Sequence, residues 1–426
     1  VAMRNRVLRG IAATTVGAIS LLTVLTGCSA PQTVSIDLPA QSDGALPDDT
    51  RAQLEAAVTS AMGATGSTGA IVGVWAPWSG SWVAGLGTTT TGGAEVTTDM
   101  AFRAADVTRG MTCDVFYELA AEGTVKLDDP VTKWVSGFPD LGNVTLEQLC
   151  DGTSGIGSYM PQLQGLVFSN PERQWDPREL AGYGLGQDRT EPGTAYRDSD
   201  AGYLLLGAAL ERAAGEDLSD LIQERIAEPL GLQATSLPSR VPAPPGPGPV
   251  LDGHWSVTDA AGAWNCAEPA EFTDISASIG GADAGAVTDI TDLGRYAQAL
   301  ATRALTPDAS ERFASPTAVA PDQPTWFTAA GGAYQAGSLI GQFGSIPGYM
   351  TAAFADPTTG LTVAVVLNNS GANPAISGWL AWELAAIASK APAASGQTAP
   401  EAGLPWSAQQ WHDAILGNAI CPPPAA

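Results

Sequence analysis

The sequence predicts an α/β unit whose sheet is assembled from both ends of the chain, with a largely helical region inserted between them. Three observations carry this: a hairpin signal near the start, helical periodicity through the middle, and a cluster of strand-like runs followed by a helix near the end. In chain order, Arg51 to Met62 reads as a first helix, with Leu54, Ala57, Val58 and Ala61 on one face. Ala70 to Trp75 and Ser81 to Ala84 are strands joined through the turn Pro77-Trp78-Ser79-Gly80. Thr108 to Glu122 is helical, and Gly123 ends it. The region from about 125 to 300 is helical and turn-rich. It contains helices over Ala201 to Gly215, Leu218 to Leu230, and Asp289 to Thr302, with Thr288 as a candidate cap. Within it, Pro238 to Pro249 carries six prolines and reads as an exposed loop. Ala333 to Ile340, Tyr349 to Ala355 and Leu361 to Leu367 read as strands, and Pro374 to Ser389 as a closing helix. A short helical patch is expected at Ser407 to Leu416.

Arg4, Arg6 and Arg9 precede an apolar stretch from Ile11 to Leu25, the charge-then-apolar order of an export signal. The stretch is short for a permanent span. It ends Leu25-Thr26-Gly27-Cys28, which resembles the bacterial lipoprotein processing box, in which the cysteine becomes a lipidated N-terminus. At roughly 0.8 kcal/mol per buried CH₂, one acyl chain anchors marginally and several anchor stably. The expected organisation is therefore a signal peptide over 1–27 and a lipidated tether over 28–50, rich in Pro, Asp, Ser and Ala. A folded domain over 51–390 and a C-terminal extension over 391–426 follow. The expected location is the outer face of a bacterial cytoplasmic membrane, as part of the cell envelope.

Acidic residues outnumber basic ones 44 to 19. Without the three arginines of the export signal, the remainder carries a formal charge of −28. Such an excess repels nucleic acid and anionic lipid surfaces, so nucleic acid is excluded as a partner and membrane attachment falls to the lipid on Cys28. Four further cysteines, Cys113, Cys150, Cys266 and Cys421, suggest two disulfides outside the cytoplasm, with three possible pairings, or buried free thiols. Cys421 could staple the C-terminal segment back to the body, with Cys266 as a candidate partner. The two histidines, His254 and His412, are far apart, and no cysteine has a partner at metal-ligand spacing. No metal or cofactor is expected. The tryptophans Trp75, Trp78, Trp82, Trp134 and Trp175 are assigned to core and lobe packing.

Five segments occur in an order that resembles the serine β-lactamases of class C and their penicillin-binding, D-alanyl-D-alanine carboxypeptidase and esterase relatives. They are Ala101 to Arg109, Gly123 to Pro130, Leu146 to Ile156, Pro192 to Gly207 and Gly341 to Tyr349. The resemblance implies an antiparallel sheet flanked by helices with a mostly helical inserted lobe. It also implies that the elements carrying Cys113 and Cys150 pack together, which favours that pairing.

Active members of such a family carry Ser-x-x-Lys, Tyr-x-Asn and a Lys or His before a small residue and glycine. Here the serine position is Asp106 and the lysine position Arg109. The tyrosine and asparagine positions are Asp198 and Asp200, and the Lys/His position is Gln342, followed by Phe343 and Gly344. Asp106 has no hydroxyl to deprotonate, and Arg109 cannot act as a neutral base because its pKa exceeds about 12. Phe343 is expected to add bulk beside the place where substrate would lie.

Asp106 and Arg109 are three residues apart, so on a helix start both can face one way. With Asp200 facing the same cleft, an Arg109-centred network with Asp106 and Asp200 is expected. It would yield a filled cleft, a remodelled binding cleft or altered catalysis. No displaced Ser-x-x-Lys, Tyr-x-Asn or Gly-x-Ser-x-Gly occurs. Ser154 reads as a structural turn residue, and Ser199 lies between two aspartates. The functional expectation is a lipid-anchored, catalytically degenerate member that binds or scaffolds a peptidoglycan or envelope-protein partner. The alternative is a hydrolase with relocated chemistry.

Overall fold

The computed structural model describes residues 33–401 and 403–421. The export signal and Cys28 lie outside the described residues. The first described stretch corrects the tether expectation for residues 33–50. Val34 N–H donates to Pro229 O at 2.7 Å, Ser42 N–H to Pro77 O at 2.9 Å, and Leu46 N–H to Ser81 O at 3.0 Å. Leu46 is fully buried. A segment without periodicity can still pair as extended backbone, and here it satisfies groups at the start of an edge strand.

Helix α1 (Asp48–Thr65) leads into strands β1 (Gly69–Ala76) and β2 (Gly80–Gly87), the expected hairpin. After the short β3 (Phe102–Arg103) comes α2 (Val107–Ala121). The lobe follows with α3 (Leu146–Cys150), α4 (Met160–Ser169), α5 (Pro177–Leu185) and α6 (Asp200–Ala214). Local chemistry starts these helices. Thr145 and Gln148 form a reciprocal capping box, Asp176 caps a helix with proline at its first position, and Ser199 Oγ accepts from Gly202 N–H. Helix α7 (Leu218–Ile222) continues through a π-type turn at Gln223–Ala227 into α8 (Glu228–Leu230), so the expected single helix is one irregular one. Strands β4 (His254–Trp255) and β5 (Ala270–Glu271) pair with each other.

Helix α9 (Gly281–Ala284) precedes β6 (Val287–Thr288), which pairs with β3, and α10 (Ile290–Thr302) follows. Asp289, not Thr288, caps α10, because Thr288 is in the strand and its hydroxyl meets that of Thr235. The sheet then completes with β7 (Thr317–Ala318), β8 (Phe327–Ala330), β9 (Ala333–Ala336), β10 (Leu339–Ile346), β11 (Tyr349–Ala355) and β12 (Thr362–Leu367). The expected strand over 333–340 is broken by a turn at Gly337, whose φ of +58° suits glycine. Helices α11 (Ala375–Ala388) and α12 (Ala408–Gly417) end the described chain.

The main sheet has eight antiparallel strands in the order β2-β1-β12-β11-β10-β9-β8-β7, so both chain ends build it, as the sequence pattern implied. The strand pleat sorts its side chains between two cores. Ala364 and Val366 join the core with α2, α10 and the lobe, while Val363, Val365 and Leu367 join that with α1 and α11. The same alternation corrects the expectation for Phe343. Gln342 and Gly344 lie on the α2 side, whereas Phe343 points to the opposite core, against Trp382, Tyr334 and Gly378.

Three of the tryptophans pack as expected: Trp78 and Trp175 are buried, and Trp75 lies so close over α10 that a Cβ on Gly294 would meet its ring at 2.5 Å. Disulfides join Cys113 to Cys150 and Cys266 to Cys421, each with Cα atoms 5.8 Å apart. The second holds the C-terminal extension, whose Trp406 and Trp411 pack on Trp382 of α11. Replacing Cys266 and Cys421 with serine is expected to cost ~2–5 kcal/mol of unfolding free energy in denaturant titrations. Limited proteolysis should then cut first near residues 395–420.

Candidate functional site

Ala105, immediately before the helix, holds φ at +48°, one of two non-glycine residues with positive φ among the described residues. This sharp turn, costing about 1 kcal/mol or more, sets Asp106 at the start of α2, at the position where the resemblance places a nucleophile. Arg109 follows one helical turn later, on the same face.

The Arg109 guanidinium is buried, with its side chain 3% exposed, and meets carboxylates from three other places in the chain. Its Nη2 lies 3.2 Å from Asp106 Oδ2, its Nη1 2.5 Å from Asp198 Oδ1 on the loop before α6, and its Nε 2.7 Å from Asp283 Oδ1 in α9. Its flat face lies 5.0 Å from the Tyr203 ring centre.

The expected network is therefore present but differently composed. Asp200 is not a partner of Arg109. Its Oδ1 accepts N–H bonds from Tyr159 at 2.7 Å and Ala201 at 2.6 Å, and its Oδ2 from Met160 at 3.1 Å, so it fixes the start of α4. Asp283 takes the partner role instead. The sequence offered no signal for it, because it lies 174 residues from Arg109.

Strand β10 closes the site from the other side. A Cβ on Gly344 would fall 2.1 Å from Asp106 Cγ, so the carboxyl group rests on bare glycine backbone. Gln342 is buried, donating through Nε2 to Gly332 O at 3.2 Å and accepting at Oε1 from Phe343 N–H at 2.9 Å. The hydroxyls of Tyr196 and Tyr334 meet at 2.8 Å and tie the lobe to β9. The void among Tyr196, Tyr203, Tyr334 and Gln342 has no room for a water molecule. The Cys113–Cys150 bridge lies against this wall, where Gly332 N–H donates to Cys150 O at 3.1 Å. The space between the tyrosines and Gln342 is thus filled by the protein's own side chains, while Asp198 faces solvent. A larger concavity, about 820 Å³, lies in the helical lobe away from Asp106.

The electrostatics follow from burial and from acid excess. Burial raises the Asp106 pKa well above the carboxylate range; Asp283, Asp198 and Asp200 add to this and Arg109 opposes it. Burial raises Asp283 as well, again against Arg109. Burial and the Asp283 charge push Asp200 up to about 7, against its backbone hydrogen bonds. For Arg109, burial works against the charge, but Asp106, Asp198 and Asp283 outweigh it and hold its pKa above the ordinary value. Burial likewise raises the pKa values of Tyr196, Tyr203 and Tyr334.

Ser199 Oγ caps α6 and donates to Gly157 O at 3.2 Å, and the buried Ser154 Oγ accepts from Ile156 N–H at 3.4 Å. Among the described residues, no cluster of three or more His, Cys, Asp or Glu side chains is arranged to hold a metal ion.

Two outcomes are expected. Arg109→Met leaves buried carboxylates without their cation and should cost ~3–5 kcal/mol near pH 8. The loss should shrink near pH 5, where protonation neutralises those acids; thermal melts at both pH values measure it. For Asp200, the folded state holds its proton more tightly than the unfolded chain does. Its contribution is full below about pH 4, declines as pH rises to about 7, and is constant above that. Asp200→Asn should flatten this part of the stability–pH curve.

Comparison with known proteins agrees with this architecture. A family model described as Beta-lactamase matches residues 54–386. Penicillin-binding protein 4* of Bacillus subtilis is 30% identical over 155 residues, covering 34% of this chain and 32% of that protein. Esterase EstB of Burkholderia gladioli is 30% identical over 159 residues, covering 34% of this chain and 40% of its own length. The chain thus spans about a third of the length of the curated relatives it matches. Among solved structures, a D-stereospecific amidohydrolase from Streptomyces sp. superposes with a TM-score of 0.66 at 25% identity, over 76% of this chain and 95% of that one. An octameric penicillin-binding protein homologue from Pyrococcus abyssi gives 0.65 at 22% identity, over 79% and 77% of the two chains.

Proposed function

Because the chain belongs to the beta-lactamase family yet carries a carboxylate and a guanidinium where acyl transfer needs an alcohol and an amine, we propose that it is a non-catalytic member of that family. In this reading it is exported, held at the outer face of the cytoplasmic membrane by lipid on Cys28, and acts there as an envelope binding or scaffold protein. The observation that carries the reading is the Asp106 carboxyl group, seated on Gly344 and paired with Arg109. It occupies the gap between α2 and β10, and the guanidinium beside it is already shared with Asp198 and Asp283. Family likeness by itself favours a hydrolase, since relatives include an esterase and a carboxypeptidase/endopeptidase. Function is decided at the site, and there the fold is kept while the reacting groups are replaced.

A fluorescent penicillin and a fluorophosphonate probe should leave no covalent label on the intact protein, while a family member with Ser-x-x-Lys is labelled in parallel. An adduct on any cleft side chain, located by peptide mass mapping, overturns the reading and favours relocated hydrolase chemistry. The anchoring is tested separately: Cys28→Ser should release the protein from the membrane fraction into the medium.

A further inference from the structure

The concavity of about 820 Å³ in the helical lobe is separate from the closed cleft. One wall is a single face of α6, where Leu204, Ala208, Glu211 and Arg212 follow at helical spacing. From Leu204 to Arg212 this face runs about 12 Å, the length of three to four extended residues at ~3.3–3.6 Å each. Small residues form the floor, with Gly207 against Ala282 of α9 so closely that a Cβ there would meet the Ala282 Cβ at 2.5 Å. Trp134, Leu218, Leu237 and Pro238 add apolar surface.

The charges at the rim set this groove apart. Sixteen basic residues follow Cys28. Among the described residues, all but Lys126, Arg212, Arg240 and Lys390 place their charged groups in an ion pair or a hydrogen bond. Two of these four, Arg212 and Arg240, line the groove. In so acidic a chain, two uncommitted guanidiniums at one concavity form a local site for a carboxylate. Four acids also line it, but two are used within the fold: Asp176 accepts from Arg178 N–H at 2.8 Å, and Glu211 from Leu218 N–H at 3.1 Å. Glu216 and Asp217 remain exposed at the rim and suit an ammonium group. The arginine at position 240 is held in place through its backbone: Ser276 Oγ donates to Arg240 O at 2.5 Å and meets Ser278 Oγ at 2.6 Å.

We propose that this groove binds a short zwitterionic peptide, its terminal carboxylate on Arg212 and Arg240, its ammonium on Glu216 and Asp217, and apolar side chains over Leu204, Leu237 and Trp134. The groove needs no reaction in the cleft, so the inference stands or falls apart from the non-catalytic reading. Calorimetric titration of the intact protein with the tripeptide Ala-Leu-Ala, its C-terminal amide and its N-acetyl form tests it, with Trp fluorescence as a second signal. The free peptide should bind, and amidation, N-acetylation, the double variant R212M/R240M, and E216Q/D217N should each weaken binding ~tenfold or more. These side chains are exposed, and unchanged melting temperatures would show that the variants fold. Absence of binding up to about 10 mM peptide, well beyond the millimolar range of weak affinity, overturns the proposal. So does equal affinity for the free, amidated and acetylated forms.

Discussion

The buried guanidinium of Arg109 is the constraint around which this part of the molecule is organised. It gathers carboxylates from the start of α2, the loop before α6 and α9, which are remote in sequence and converge only through the fold. A lone buried cation would be severely unfavourable, and so would the largely buried Asp106 and Asp283 without it, whereas Asp198 reaches in from the surface. The four groups are tolerable because they are together; burial first, and then the repulsion among three acids sharing one cation, raises the pKa values of Asp106 and Asp283. The network also docks the lobe onto the sheet, since Asp198 and Asp283 belong to the lobe and Asp106 rests against β10.

The family fold is kept around this core. The left-handed turn at Ala105 still presents the next side chain to the cleft, and Gly344 still leaves β10 bare beside it. With a carboxyl group at position 106, this geometry clamps a salt bridge. Gln342 turns inward to its own backbone neighbourhood, and the Tyr196–Tyr334 contact ties the lobe to β9 beside it. A second buried ion pair, Arg312 with Asp114, braces α2 from behind, with the Tyr296 hydroxyl on the same carboxylate at 2.7 Å. The helix that carries the altered site is thereby fixed along its length.

Much of the architecture was legible because local rules produce it. Alternation and turn residues marked the β1–β2 hairpin and the strands β11 and β12, and helical periodicity marked α1, α2 and α6. The segment over 33–47 was misread, since backbone pairing with an edge strand requires no side-chain pattern. Phe343 was misplaced for a related reason. Which face of β10 it joins depends on register with β11, where it sits opposite Ala352, and a one-residue shift exchanges the two faces.

By itself, the sequence determined which functional groups stand at positions 106 and 109. Side-chain identity decides whether a hydroxyl or a deprotonatable amine exists, and at positions 106 and 109 neither does. Only the tertiary structure decided which acids satisfy Arg109, assigning Asp283 and Asp198 to it and Asp200 to the backbone of α4. Charge pairing acts through space over a few ångströms, whereas the chain separates Arg109 and Asp283 by 174 residues, so no local pattern could have matched them.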